Sequence, residues 1–115
     1  MALTASQTAD IEAAMADFLA RRRPPAEIRD KLDLAWRIEG QSVVIFNIRP
    51  LWRGDSEKIE DPVAKASYVR SVNRWRVYWQ RADLKWRSYE PHPQAVFFEE
   101  FLAVVDEDEH CCFWG

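Results

Sequence analysis

The residues best suited to catalysis in this chain are Asp83 and Lys85, in the segment Asp83-Leu84-Lys85. Side chains two positions apart project from the same face of a β-strand. On such a face a carboxylate binds Mg²⁺, while a lysine orients water or offsets charge in the transition state. Many metal-dependent nucleases use this acid-x-Lys arrangement, so the segment indicates a divalent-metal nuclease or phosphodiesterase.

A nuclease site also needs a second carboxylate from a neighbouring strand or loop. Glu60 and Asp61 lie upstream at a plausible distance, and Glu39 is a third candidate. The alternative is structural, because Asp83 could instead pair with a nearby cation such as Arg81. A three-residue pattern is also common by chance, and we therefore rank an enzyme below a non-catalytic protein.

The soft metal ligands of the chain lie together at its end, in His110-Cys111-Cys112. A structural zinc site needs four ligands at spacings such as C-x₂-C, which are absent. Adjacent cysteines cannot form a relaxed disulfide, so a reducing compartment is the simpler interpretation. The three glycines are too few and too scattered for a phosphate-binding loop. We expect neither a metal nor a cofactor.

Charge is distributed unevenly and favours a binding or regulatory module. Residues 21–89 contain all 16 Lys and Arg with nine acids, whereas residues 90–115 contain seven acids and no base. The candidate binding residues are Lys65, Arg70, Arg76, Tyr78, Arg81 and Arg87. A basic strand face that carries an aromatic ring is typical of single-stranded nucleic-acid binders. It is also typical of any solvated antiparallel sheet, so the partner could be nucleic acid, a protein or neither.

The elements that must position these residues form one α+β domain over residues 1–115. Apolar spacing predicts a helix over 6–23, started by Ser6 or Thr8 and ended by the prolines at 24 and 25. A short helix is expected to follow Pro25. Alternation over about 33–89 predicts one antiparallel sheet of four or five strands. A last helix over 94–105 should pack with the first on one face, with Phe97 and Phe101 inward.

Parity of the apolar residues predicts how the strands pair. A three-residue loop at 39–41 would place Trp36 opposite Val44 and bring Phe46 onto the buried face. A long loop is expected over 50–62. A second hairpin, with strands over 64–72 and 75–80, should turn at Asn73-Arg74, where Asn tolerates positive φ. Trp75, Val77 and Trp79 should then share a face with Tyr68 and Ala66. A break or bulge is needed near Arg81, where the parity switches.

The tail over residues 106–115 joins an acidic run to an apolar end. Its notable residues are Asp106, Glu107, Asp108, Glu109, Phe113 and Trp114. The aromatic end should dock on the domain, because apolar side chains are costly to leave in water. Docking would bring the acidic run near Arg70, Arg76, Arg81 or Arg87. The tail is then either a structural clasp or a competitor that shields the basic residues from an anionic partner.

Several segments of the chain resemble a known family. They are Pro62-Val63-Ala64-Lys65-Ala66, the tryptophan-rich WRVYWQRADLKW from Trp75 to Trp86, Tyr89-Glu90-Pro91 and the terminal VDEDEHCCFWG. From about residue 24 to 115 the chain resembles domain-of-unknown-function family 3024, with about 20 residues before the match. The resemblance implies a bacterial source and transfers no catalytic residue. With no membrane-spanning run and no signal peptide, we expect a cytoplasmic location.

Overall fold

A computed structural model describes residues 3–50 and 57–114, which form two helices and one antiparallel sheet. The elements are α1 (Ala5–Arg22), β1 (Asp33–Glu39), β2 (Ser42–Pro50), β3 (Lys58–Val69), β4 (Arg74–Gln80), β5 (Trp86–Ser88), β6 (Gln94–Ala95) and α2 (Phe98–Glu107). The strands run in the order β1-β2-β3-β4-β5, and the two-residue β6 also pairs with β4. The predicted α+β class is confirmed.

Helix α1 begins at a capping box rather than at the predicted Ser6 or Thr8. The Thr4 hydroxyl accepts a hydrogen bond from the Gln7 amide, and the Gln7 side chain accepts one from the Thr4 amide. The helix ends at the C-cap Arg23, whose extended backbone suits the following proline. The short helix expected after Pro25 was wrong, because residues 26–31 form only consecutive turns.

The first hairpin differs from its prediction by one residue, and this changes the sheet. Glu39 pairs with Ser42 across a two-residue turn, in which Gly40 takes a φ of 62°. A glycine at the first central position suits the tight turns that match strand twist. Trp36 therefore pairs with Ile45, not Val44. Because a one-residue shift exchanges the two faces of a strand, Phe46 leaves the face covered by the helices.

The second hairpin has the predicted faces but a different register. A two-residue turn at Asn73-Arg74 would pair Tyr68 with Trp79, whereas β3 ends at Val69 and β4 begins at Arg74, and the even shift leaves the faces unchanged. Tyr68 pairs with Trp75, and Ala66 with Val77, across a turn that contains Asn73 at a φ of 51°. The expected break near Arg81 is also present, since β4 ends at Gln80 and β5 begins at Trp86. The predicted loop over 50–62 was too long at its far end, because residues 58–62 belong to β3. Its residues 51–56 lie outside the described part of the chain.

The hydrophobic core lies between the two helices and one face of the sheet. Fully buried side chains come from α1 (Met15, Phe18), from the sheet (Val43, Ile45, Val77) and from α2 (Phe101, Val105). Trp79 and Tyr68 are partly buried against this core. Within the described ranges, neither helix is long and apolar enough to cross a bilayer.

Helix α2 begins later than predicted and extends further. Residues 94 and 95 form β6, and Phe97 is the N-cap residue, so its side chain is 68% exposed rather than inward. Asp106 and Glu107 lie within the helix instead of the tail. Asp108 ends the helix with a left-handed backbone, and its carboxylate accepts hydrogen bonds from the amides of Phe113 and Trp114.

Candidate binding face of the sheet

The face of the sheet opposite the helices, called the outer face below, carries the predicted basic and aromatic residues. The register aligns Arg37, Val44, Lys65 and Tyr78 in one row across four strands. The adjacent row contains Ser42, Ser67 and Arg76. A row of side chains in register lies on one face of a sheet, so Lys65, Arg76 and Tyr78 are neighbours.

Lys65 lies at the centre of this face between two aromatic rings. Its ammonium nitrogen is 4.9 Å from the ring centroid of Tyr78 and 4.9 Å from that of Trp86. Both distances fall within the range of cation–π attraction. Burial lowers the pKa of Lys65, and the negative charge of Glu39 opposes that shift. The ammonium group is therefore positioned by aromatic rings rather than by an acid.

A second cation–aromatic contact covers the apolar part of the outer face. The Arg37 guanidinium carbon lies 4.6 Å from the ring centroid of Phe46. Phe46 is only 5% exposed, although the helices pack on the other face. Arg37 also donates hydrogen bonds to Glu39 and to Glu60, the latter at 2.6 Å. The positive charge of Arg37 is thus already paired with the carboxylates of Glu39 and Glu60.

Within the described ranges, the cations Lys65 and Arg76 of the outer face are not matched by acids. Among the described residues, neither Lys65 nor Arg76 forms a salt bridge or a side-chain hydrogen bond with an acid. The cross-strand pairing places Arg76 opposite Ser67, one row away from the pair of Lys65 and Tyr78. Lys65 and Arg76 therefore present two unmatched positive charges beside two aromatic rings. In the part of the chain that the structure describes, Arg74 at the end of the same face donates only to backbone carbonyls.

The outer face continues into an open cleft of about 500 Å³ at the edge of β5. Trp79, Arg81, Trp86 and Arg87 are among the residues that line it. The Arg81 guanidinium lies 5.7 Å from the Trp79 ring, whereas Arg87 donates to Asp83 at 2.8 Å. Trp86 contributes both to this cleft and to the aromatic pair around Lys65.

The six predicted binding residues are thus divided among three places. Lys65, Arg76 and Tyr78 share the outer face, while Arg81 and Arg87 line the adjoining cleft. Arg70 lies in the turn between β3 and β4, outside both groups.

The predicted catalytic pair does not have the geometry that the nuclease hypothesis requires. Asp83 and Lys85 lie in the turn between β4 and β5, not on a strand. The Asp83 carboxylate accepts the Lys85 amide at 3.0 Å and the Arg87 guanidinium at 2.8 Å. Those two hydrogen bonds lower the pKa of Asp83. The carboxylate therefore stabilises a turn.

The other predicted carboxylates are matched by arginines. Glu39 and Glu60 both accept hydrogen bonds from Arg37, and Asp61 accepts one from Arg49. Glu39 belongs to the row of Arg76, at the opposite end of β4 from the turn with Asp83. In residues 3–50 and 57–114 no three His, Cys, Asp or Glu side chains are grouped to bind a metal ion.

The aromatic end of the tail docks as expected, but Asp106 contacts a different basic segment. Phe113 is buried against Tyr89, with 4.8 Å between ring centroids, and the Trp114 indole nitrogen donates to the Val105 carbonyl at 2.8 Å. Asp106 accepts hydrogen bonds from Arg21 at 2.5 Å and from Arg22 at 2.6 Å. The expected approach of this acid to Arg70, Arg76, Arg81 or Arg87 was therefore wrong.

The predicted binding set lacked several basic and aromatic residues of the outer face, among them Trp86, Arg37 and Phe46. Trp86 and Ser88 are two positions apart on β5 and therefore project from the same face, which Ser88 shares with its partner Tyr78. Alternation along β5 could thus have placed Trp86 on the outer face. Alternation in β1 placed Arg37 on the correct face, whereas the three-residue loop misplaced Phe46. The single glycine at position 40 was the signal for the shorter turn.

The fold and site define a small α+β protein whose antiparallel sheet is covered by helices on one face and carries basic and aromatic residues on the other. The chain belongs to the family described as Domain of unknown function (DUF3024), whose model matches residues 3–115. The match therefore includes α1, which we had expected to lie outside it. No curated protein and no solved structure matches the chain.

Proposed function

We propose that this protein is a non-catalytic module that binds single-stranded nucleic acid on its outer face. The observation that supports the proposal most is the group of Lys65, Arg76, Tyr78 and Trp86, in which two cations without an acidic partner lie beside two aromatic rings. A cytoplasmic location is part of the same proposal.

The chemistry of a single strand fits this group. Phosphates bind to cations, while unpaired bases stack on aromatic rings and contribute about 1–3 kcal/mol each. Lys65 lies along the rings of Tyr78 and Trp86, so a phosphate could bind its ammonium group while a base stacks on an exposed part of Trp86. The adjoining cleft, with Arg81 beside Trp79, would extend the path of the strand.

Fluorescence anisotropy with short labelled single-stranded DNA and RNA tests the proposal. The variants Lys65→Met and Arg76→Ala should each weaken binding. Each should also reduce the slope of log K against log salt by about 0.7, as expected when one phosphate contact of a single strand is lost. Trp86→Ala should weaken binding with little change in the slope, because stacking releases few counterions.

Lys31→Ala is the matched control, because it removes one exposed positive charge from the turns before β1, outside the outer face. Equal weakening by Lys31→Ala and Arg76→Ala would show only non-specific attraction to the basic middle of the chain. Absence of binding by the wild-type chain at low salt would reject the proposal outright.

A further inference from the structure

A second concave surface lies on the helix side of the sheet, away from the outer face. This cleft of about 290 Å³ is formed by the first half of α1, the start of α2 and the end of the β3–β4 hairpin. Its apolar lining includes Ile11, Trp75 and Phe98, which are all at least 94% buried. The remaining exposed part of this lining gives the cleft an apolar floor.

The border of the cleft exposes two apolar side chains. Phe97 is 68% exposed and Val96 is 47% exposed, and both line the cleft. Phe97 is the N-cap residue of α2, a position at which Ser, Thr, Asp and Asn stabilise helices. Glu100 partly replaces the missing cap by accepting the Val96 amide at 2.9 Å. The phenyl ring thus occupies a position where a polar residue would suit the fold better.

The rim of the same cleft is acidic. Asp10 on α1 and Glu99 on α2 both line it, and neither forms a salt bridge with any described residue. Gln7, Asp10 and Ile11 stand three and four positions apart, so one face of α1 presents both an acid and an apolar residue to the cleft. A ligand complementary to this surface combines positive charge with a bulky apolar group.

We infer that the cleft is a docking site for a peptide segment in which an aromatic or large aliphatic residue is flanked by Lys or Arg. The apolar residue would pack on the floor beside Phe97, and its basic neighbours would pair with Asp10 and Glu99. A second copy of this chain fits less well. A two-fold interface through Phe97 would bring the unmatched Asp10 and Glu99 of both copies together, and like charges repel.

Selection of random peptides displayed on phage, with the full-length chain as bait, provides the test. The expected consensus is an aromatic or large aliphatic residue with flanking Lys or Arg. The selected peptide, labelled for anisotropy, should bind at least about tenfold more weakly to Asp10→Lys/Glu99→Lys, since reversed rim charges repel basic residues. Phe97→Ser should also weaken binding, and it should not destabilise the fold because the ring is exposed.

Glu12→Lys is the matched control, because Glu12 is an exposed acid on α1 that does not line the cleft. Peptide affinity should be unchanged in Glu12→Lys and in Lys65→Met, which alters the outer face. Selected peptides without basic residues, or equal binding by Asp10→Lys/Glu99→Lys, would overturn the inference. A wild-type dimer that is lost in Phe97→Ser, measured by sedimentation, would show instead that the occupant is a second copy.

Discussion

The Trp114 indole lies over the Arg22 guanidinium, with 4.3 Å between the ring centroid and the guanidinium carbon, and so connects the last described residue to helix α1. The same ring stacks on Phe18, at 6.5 Å between centroids, and donates to the Val105 carbonyl. These contacts join both helices to the tail, and they support a structural clasp.

Deleting residues 109–115 should destabilise the protein without creating a new binding activity. The deletion removes the buried Phe113 and the contacts of Trp114, and loss of a large buried aromatic residue costs about 3–5 kcal/mol. Urea denaturation measures the loss. Anisotropy with single-stranded DNA should show no gain in affinity by the truncated chain, whereas a salt-sensitive gain would instead support the competitor.

Asp106→Asn should lower the free energy of unfolding by about 1 kcal/mol. Burial alone would raise the pKa of Asp106, but the hydrogen bonds from Arg21 and Arg22 outweigh it and hold that pKa below its usual value. Glu107→Gln is the matched control, since Glu107 is an exposed neighbour on the same helix. Chemical denaturation at low and high salt should show a difference between the variants that shrinks as salt screens the pairs.

Acid should destabilise the protein through Asp33. The hydrogen bonds from Arg23, and then the one from the Leu34 amide, lower the pKa of Asp33 to about 2. Its pKa in an unfolded chain is about 3.9, so this stabilisation is complete above that pH and is lost as the pH falls to about 2. Denaturation curves should show a smaller loss of stability over this interval for Asp33→Asn than for the wild type. An identical pH dependence would contradict the assignment.

Trp75→Ala should destabilise the fold more than Trp79→Ala. Trp75 is 6% exposed, with ring centroids 5.2 Å from both Tyr68 and Phe98, so its truncation should cost about 3–5 kcal/mol. Trp79 is only partly buried at the border of the core and lines the open cleft. Urea midpoints of the two variants give the comparison, and the reverse order would contradict the burial described here.

Lys65→Met should preserve or slightly raise stability while it weakens nucleic-acid binding. Desolvation of the ammonium group opposes folding, and methionine keeps the apolar stem that packs beside Tyr78 and Trp86. Thermal unfolding and anisotropy on the same preparation separate the two effects. A loss of both stability and binding would indicate that Lys65 has a structural role only.

Local sequence patterns predicted an element correctly where burial of one apolar side determines its structure. The apolar spacing of Ile11, Met15 and Phe18, followed by two prolines, predicted α1 to within one residue at each end. Alternation predicted that Trp75 and Val77 share a face with Tyr68 and Ala66. Buried residues recur every 3.6 positions in the helix and every second position in the strands, and each of these elements has a single apolar side.

The sequence by itself thus determined the α+β class, the buried face of the second hairpin and the docking of the aromatic tail. Only the tertiary structure decided which face of β2 the helices cover, because residues 43–46 are all buried and alternation cannot choose a face for them. It also decided that Phe97 is exposed and that Asp106 pairs with Arg21 and Arg22. Both outcomes depend on how distant segments meet, and the pairing of two helix ends 84 residues apart is not encoded in any local pattern.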